Sequence, residues 1–99
     1  DNIVSSSIAI VAEEAMKAGL PLSCGEEAQV KGGGTFTLGV NYFRLGEQTG
    51  KMAAQILRGE AMVGEMPIQS QSDFAFLVNK AACEQLGLTI PEDLADAVF

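Results

Sequence analysis

Apolar residues return with helical spacing in two stretches of this chain and gather into short continuous runs in others, so amphipathic helices and buried strands alternate. Between Ile3 and Ala18, residues Val4, Ile8, Val11, Ala12 and Ala15 fall at i, i+4, i+7, i+8 and i+11, one face of a helix. Asp1 or Asn2 can cap that helix, Gly19 ends it, and Glu13, Glu14 and Lys17 take the wet side. The run Leu20 to Cys24 follows at once and reads as a strand, with Pro21 near its start where a missing N–H is tolerated. Residues Gly25 to Val30 are polar enough for a loop with one helical turn. Lys31-Gly32-Gly33-Gly34 reads as a turn, because three glycines are costly inside a regular element.

Thr35 to Val40 resumes with β-favouring residues as a second strand. From Tyr42 to Arg58 the helical period returns, with Leu45, Thr49, Met52, Ala53 and Ile56 on one face and Gly59 as the stop. Met66-Pro67-Ile68 is expected as a brief edge strand, and Phe74 to Val78 as a buried one ending at the helix cap Asn79. A short helix from Lys80 to Leu86 stops at Gly87. Thr89-Ile90-Pro91-Glu92 has capping-box spacing, so Leu94 to Phe99 is expected to form a last helical turn or two. The order helix, strand, strand, helix, strand, helix belongs to the α/β class.

At 99 residues with 47% hydrophobic residues, the composition is that of one globular domain at most, with a small core. The formal charge of −7 comes from scattered acids and leaves no basic stripe to neutralise phosphates, so nucleic acid is excluded as a partner. No run reaches the roughly 18 apolar residues of a spanning helix, so no direct membrane insertion is expected. Asp1 stands where a Met would open a complete chain, and no signal peptide follows, so the chain is expected to be excised from something longer.

The absence of His removes Ser-His-Asp and Cys-His catalysis and the common zinc arrangements, and no catalytic residue, metal site or cofactor is expected. Cys24 and Cys83 match no metal or redox spacing and read as buried thiols, with a single disulfide left open. Glu26 and Glu27 are adjacent and point in different directions, so they do not form a carboxylate dyad. At the end of a strand in an open α/β sheet, however, a carboxylate stands where such folds collect ligands and can accept hydrogen bonds from an ammonium or hydroxyl group. A solvated loop acid is the alternative. The glycine cluster precedes a strand instead of opening a helix and satisfies no phosphate-loop pattern.

An ordered set of segments resembles a known family. Asp1-Asn2-Ile3-Val4, Gly19-Leu20-Pro21-Leu22, Gly25-Glu26-Glu27, Gly34, Leu38-Gly39-Val40-Asn41-Tyr42, Leu45-Gly46, Thr49 to Ala54, Ile56 to Glu60 and Leu86 to Pro91 are similar to the C-terminal part of ABC-transporter substrate-binding proteins of the tryptophan/tyrosine type. The resemblance implies a partial lobe of the type I periplasmic-binding fold, a Rossmann-like three-layer α/β arrangement. Residues 1–40 would belong to the C-terminal lobe, 41–70 to the N-terminal lobe, and 71–99 would return to the first. It also implies a small ligand, amino acids among them, closed between two lobes and handed to an ABC permease, outside the cytoplasm in the periplasm or on a lipid anchor. Asp1, Asn2, Glu26 and Asn41 are the ligand-binding positions it implies, a set of donors and a charged acceptor suited to a zwitterion. Two departures are the glycine-rich turn at 32–34 and Cys24, where the family has a small residue. An effector-binding domain of a transcription regulator with the same fold, or an inactive proteolytic remnant, are the alternatives. An unpaired sheet edge further implies a homodimer or higher assembly.

Overall fold

The computed structural model describes residues 2–99; Asp1 lies outside the described residues. In chain order the regular elements are α1 (Asn2–Ser6), α2 (Ile8–Lys17), β1 (Ser23–Cys24), α3 (Glu27–Lys31), β2 (Phe36–Val40), α4 (Tyr42–Leu57), β3 (Phe74–Val78) and α5 (Lys80–Leu86), with 3-10 turns at Val63–Glu65 and Glu92–Ala97. The strands form one sheet in the order β1-β2-β3, and β1 runs parallel to β2 with Ser23 opposite Phe36 and Cys24 opposite Thr37. This is the mixed α/β architecture expected from the apolar pattern. The chain divides into two compact units, one made of Asp1–Gly39 with Ala75–Phe99, the other of Val40–Phe74.

The first unit is closed by small residues. Its buried side chains are Ala12 of α2, Cys24, Val30, Thr35, Thr37, Val78, Ala82 and Cys83. With no large side chain among them, the backbones must approach closely, and glycine permits it. A Cβ built on Gly34 would stand 2.1 Å from the Cys24 Sγ, and one on Gly32 would stand 2.6 Å from Ile8 of α2. The glycine cluster is therefore more than a turn: it ends α3 and presses that end against α2 and β1.

Polar bonds complete what this small core leaves undone. The Leu22 N–H donates to the Thr35 hydroxyl at 2.9 Å, and the fully buried Thr37 hydroxyl donates to the Cys24 carbonyl at 2.7 Å. Leu22 O in turn accepts from the Thr35 and Phe36 N–H groups. These side-chain bonds explain why β1 is only two residues long where the apolar run extends from Leu20: the Thr35 hydroxyl takes the place of a ladder bond at Leu22, and Pro21 has no N–H to give.

Five expectations require correction. Phe74–Val78 forms β3 but is not buried along its length: Val78 is buried, whereas Phe74 and Phe76 are exposed. The single helix predicted from Ile3 to Ala18 breaks at Ser7, because the Ser6 hydroxyl donates to the Ile3 carbonyl and the Ser7 N–H tightens onto Val4 O, an i−3 bond that closes α1 early. Met66-Pro67-Ile68 is not a strand; Ile68 is almost fully exposed, and the segment after it is tied to α4 by side chains instead. Thr89 caps nothing, since the final turn is a 3-10 turn with Pro91 at its cap and no side-chain bond there. The chain end is not helical through Phe99, because Val98 pairs in parallel with Val78 and the Phe99 N–H donates to Val78 O. The helix stops at Gly19, Gly59 and Gly87 are as expected, each at positive φ with the returning hydrogen bonds of a Schellman motif.

Among the described residues no helix is long and apolar enough to cross a membrane. Phe36 and Leu38 of β2 share a face with Phe76 of β3, and Leu38 is 59% exposed there, an apolar sheet surface open to solvent. Light scattering of the 99-residue chain at rising concentration is expected to give a mass above that of a monomer; a monomer throughout would count against association through this surface. Gly34→Ala is expected to lower the unfolding free energy by about 1–3 kcal/mol in denaturant titrations, through overpacking against Cys24. The same substitution at Gly46, where a Cβ meets nothing, should leave stability unchanged or raise it slightly.

Candidate binding site

Parallel strands deliver their carboxyl ends to the same edge of a sheet, and the edge is where ligands gather in open α/β folds. The end of β1 leads through Gly25 to Glu26, which stands just before α3 with an extended backbone, φ −154° and ψ 163°. A Ser, Thr, Asp or Asn in this position turns its side-chain oxygen back onto the helix. Glu26 does not: it makes no side-chain cap bond, and although the residue is half-buried, its carboxylate has no hydrogen bond or ion pair among the described residues. Glu27, by contrast, is paired on the surface with Lys31 at 3.6 Å.

Gly25 is held from both sides. Its N–H donates to the Gln29 Oε1 at 2.9 Å, and its carbonyl lies so near Gly39 of β2 that a Cβ there would come within 2.5 Å. The Gln29 Nε2 donates in turn to the Ser5 hydroxyl of α1 at 2.8 Å. Asn2 is the exposed first residue of α1. Asn2 and Glu26 thus belong to the first unit, on elements joined through Gln29, whereas Asp1 lies outside the described residues.

Asn41 belongs to the second unit and is committed to structure there. Its Oδ1 accepts from the Arg44 N–H at 3.1 Å, capping α4. Its main chain is clipped by the Gln71 amide, which accepts from the Asn41 N–H and donates to the Asn41 carbonyl, both at 3.0 Å. Arg44 pairs with Asp73, and Gln48 bonds Gln69 at 3.0 Å, so the irregular return segment is laced to α4 by side chains. Arg44, Gln48 and residues 70–73 line a polar recess of about 260 Å³ in this unit. Neither Gln29 nor Gln71 stood out in the sequence, because a glutamine that bonds distant backbone looks the same as one on a wet helix face.

The first unit also has an apolar recess of about 260 Å³, bounded by Phe36, Phe76, Cys83 and Leu94 among others. Cys24 and Cys83 are free thiols, and burial raises both pKa values above the ordinary cysteine range. Among the described residues, no three His, Cys, Asp or Glu side chains are grouped to hold a metal ion.

Taken with the sheet order, these features define a partial, Rossmann-like α/β lobe. The chain belongs to the ABC transporter substrate binding protein family, whose model matches residues 1–98. It is 28% identical over 88 residues to a tyrosine-binding protein of Clostridioides difficile, covering 89% of this chain and 25% of that protein. Among solved structures it resembles a conserved domain protein of Vibrio cholerae (TM-score 0.80, 34% identity, 99% of this chain and 33% of that one). It also resembles an ABC domain in complex with L-Trp from Streptococcus pneumonia (TM-score 0.82, 29% identity, 100% of this chain and 34% of that one). The chain therefore spans a quarter to a third of the length of these relatives. The family is one of binding proteins, not of enzymes.

Because a raised thiol pKa means little thiolate, both cysteines are expected to react slowly with a disulfide reagent at pH 8 in the folded chain and rapidly in denaturant. The sign on stability follows. With folded values above the unfolded one, their contribution is intact below about pH 8.5 and is lost as pH rises through the folded values, which urea titrations between pH 7 and 10 would register.

Proposed function

We propose that this chain is part of the substrate-binding protein of an ABC importer, and that the whole protein closes an aromatic amino acid between two lobes before passing it to a permease. In this reading residues 1–40 and 71–99 lie in one lobe and 41–70 in the other, and the protein works outside the cytoplasm, in the periplasm or on a lipid anchor. The observation that carries it is the family match along residues 1–98. A tyrosine-binding protein among the relatives and an L-Trp complex among the similar structures support an aromatic amino acid as the ligand.

Glu26 is the residue we assign to the ligand's ammonium group. Its carboxylate has no partner among the described residues, so a cation placed there gains a charge-assisted bond without displacing an existing one. Asp1 and Asn2 remain proposed ligand contacts. Asn41 is a weaker candidate than Glu26, because its Oδ1 already caps α4.

Calorimetry with L-tyrosine and L-tryptophan tests this on a polypeptide of the relatives' length containing these 99 residues. Saturable binding is expected, with Glu26→Gln weakening it about tenfold to a hundredfold, the equivalent of roughly 1.5–3 kcal/mol for a bond to a charged group. The 99 residues alone are expected to bind weakly or not at all, because a two-lobed cleft needs contacts from both lobes. Micromolar binding by the 99 residues alone would overturn the two-lobed reading, and no binding of either amino acid by the longer polypeptide would overturn the ligand assignment.

A further inference from the structure

We infer that Gln29 is a positioning residue for the ligand site, its single amide setting the distance between α1 and the Gly25-Glu26 loop. The inference rests on the reading of Glu26 as a ligand contact. The amide group is planar, so its Oε1 and Nε2 cannot move independently: the bond to the Gly25 N–H at 2.9 Å and the bond to the Ser5 hydroxyl at 2.8 Å fix each other. Whatever shifts α1 is transmitted to the residue immediately before Glu26.

The brace has a firm base. Gln29 lies next to Val30, which is fully buried, and its own carbonyl accepts from the Gly34 N–H at 3.0 Å, in the turn that packs on Cys24. The far side of the Gly25 peptide leans on Gly39, and the preceding Cys24 carbonyl is taken by Thr37. Gln29 supplies the remaining hold, on the N–H, and with it the approach of the chain into Glu26 is determined. α1 needs such a tie because none of its residues is buried, so apolar burial holds it only lightly. The amide thus joins a lightly held helix that begins at Asn2 to a tightly held loop that carries Glu26.

Hydrogen exchange at the Gly25 amide reads the brace without any ligand, in the 99-residue chain. Gln29→Met keeps the length of the side chain and removes both bonds; it is expected to speed Gly25 exchange about tenfold. Ser5→Ala should give a smaller increase that disappears in the Gln29→Met background, the mark of two groups acting through one amide. Unchanged Gly25 exchange, or a Ser5→Ala effect of equal size in both backgrounds, would overturn the brace. In the longer polypeptide, Gln29→Met is expected to weaken L-tyrosine or L-tryptophan binding about tenfold by calorimetry while the melting temperature stays within a few degrees. Equal affinity in a folded variant would overturn the positioning role. A wild-type protein that binds neither amino acid would overturn the proposed function, and the exchange measurement would still decide the brace.

Discussion

The pairing of β1 with β2 is the contact on which the first unit depends, and it is made as much by two threonine hydroxyls as by backbone. Thr35 and Thr37 are almost wholly buried, and each bonds a backbone group of the neighbouring strand segment. A buried hydroxyl without a partner costs about 1–3 kcal/mol, so each bond both satisfies the hydroxyl and fixes the register. Two ladder residues would not specify a strand position by themselves. With the hydroxyls added, Cys24 has one place to be, and Gly25 and Glu26 follow it.

Close approach is the second half of the same device. Gly34 under Cys24 and Gly39 beside the Gly25 carbonyl leave no room for a methyl group on either side of the β1 exit. A core of Ala, Cys, Val and Thr buries little apolar area per residue, so its stability rests on tight packing and satisfied polar groups more than on bulk. That also explains why so stiff a loop can carry a carboxylate with no partner among the described residues. The backbone around Glu26 is held by its neighbours, which frees the side chain from any structural bond.

The second unit is built on a different principle. No residue of α4 is buried, and its partner segment has no regular structure, so three side-chain links from Asn41, Arg44 and Gln48 to Gln71, Asp73 and Gln69 do the joining. Exposed polar links of this kind are individually weak and depend on acting together. Asn41 shows how such a link changes a functional reading. Its side-chain acceptor, Oδ1, is spent on a helix cap, and its main-chain N–H and carbonyl on an amide clip.

The α/β order, the three strand cores, the helix starts at Tyr42 and Lys80 and the glycine stops were legible from the residues, because period, capping chemistry and positive φ are local properties. Family membership was legible too, from the ordered segments that run from Asp1 to Pro91. Glu26 could be singled out by its place after a strand, though not its lack of a partner among the described residues. What only the tertiary structure decided depends on residues distant in sequence: Ser5 meeting Gln29 across 24 positions, Asn41 meeting Gln71 across 30, and Val98 joining Val78 as a bridge instead of ending in a helix. No local pattern encodes such meetings, since a Gln or Ser has the same propensity whether it faces water or another segment. Packing chooses the partner, and with it which polar side chains remain available to a ligand.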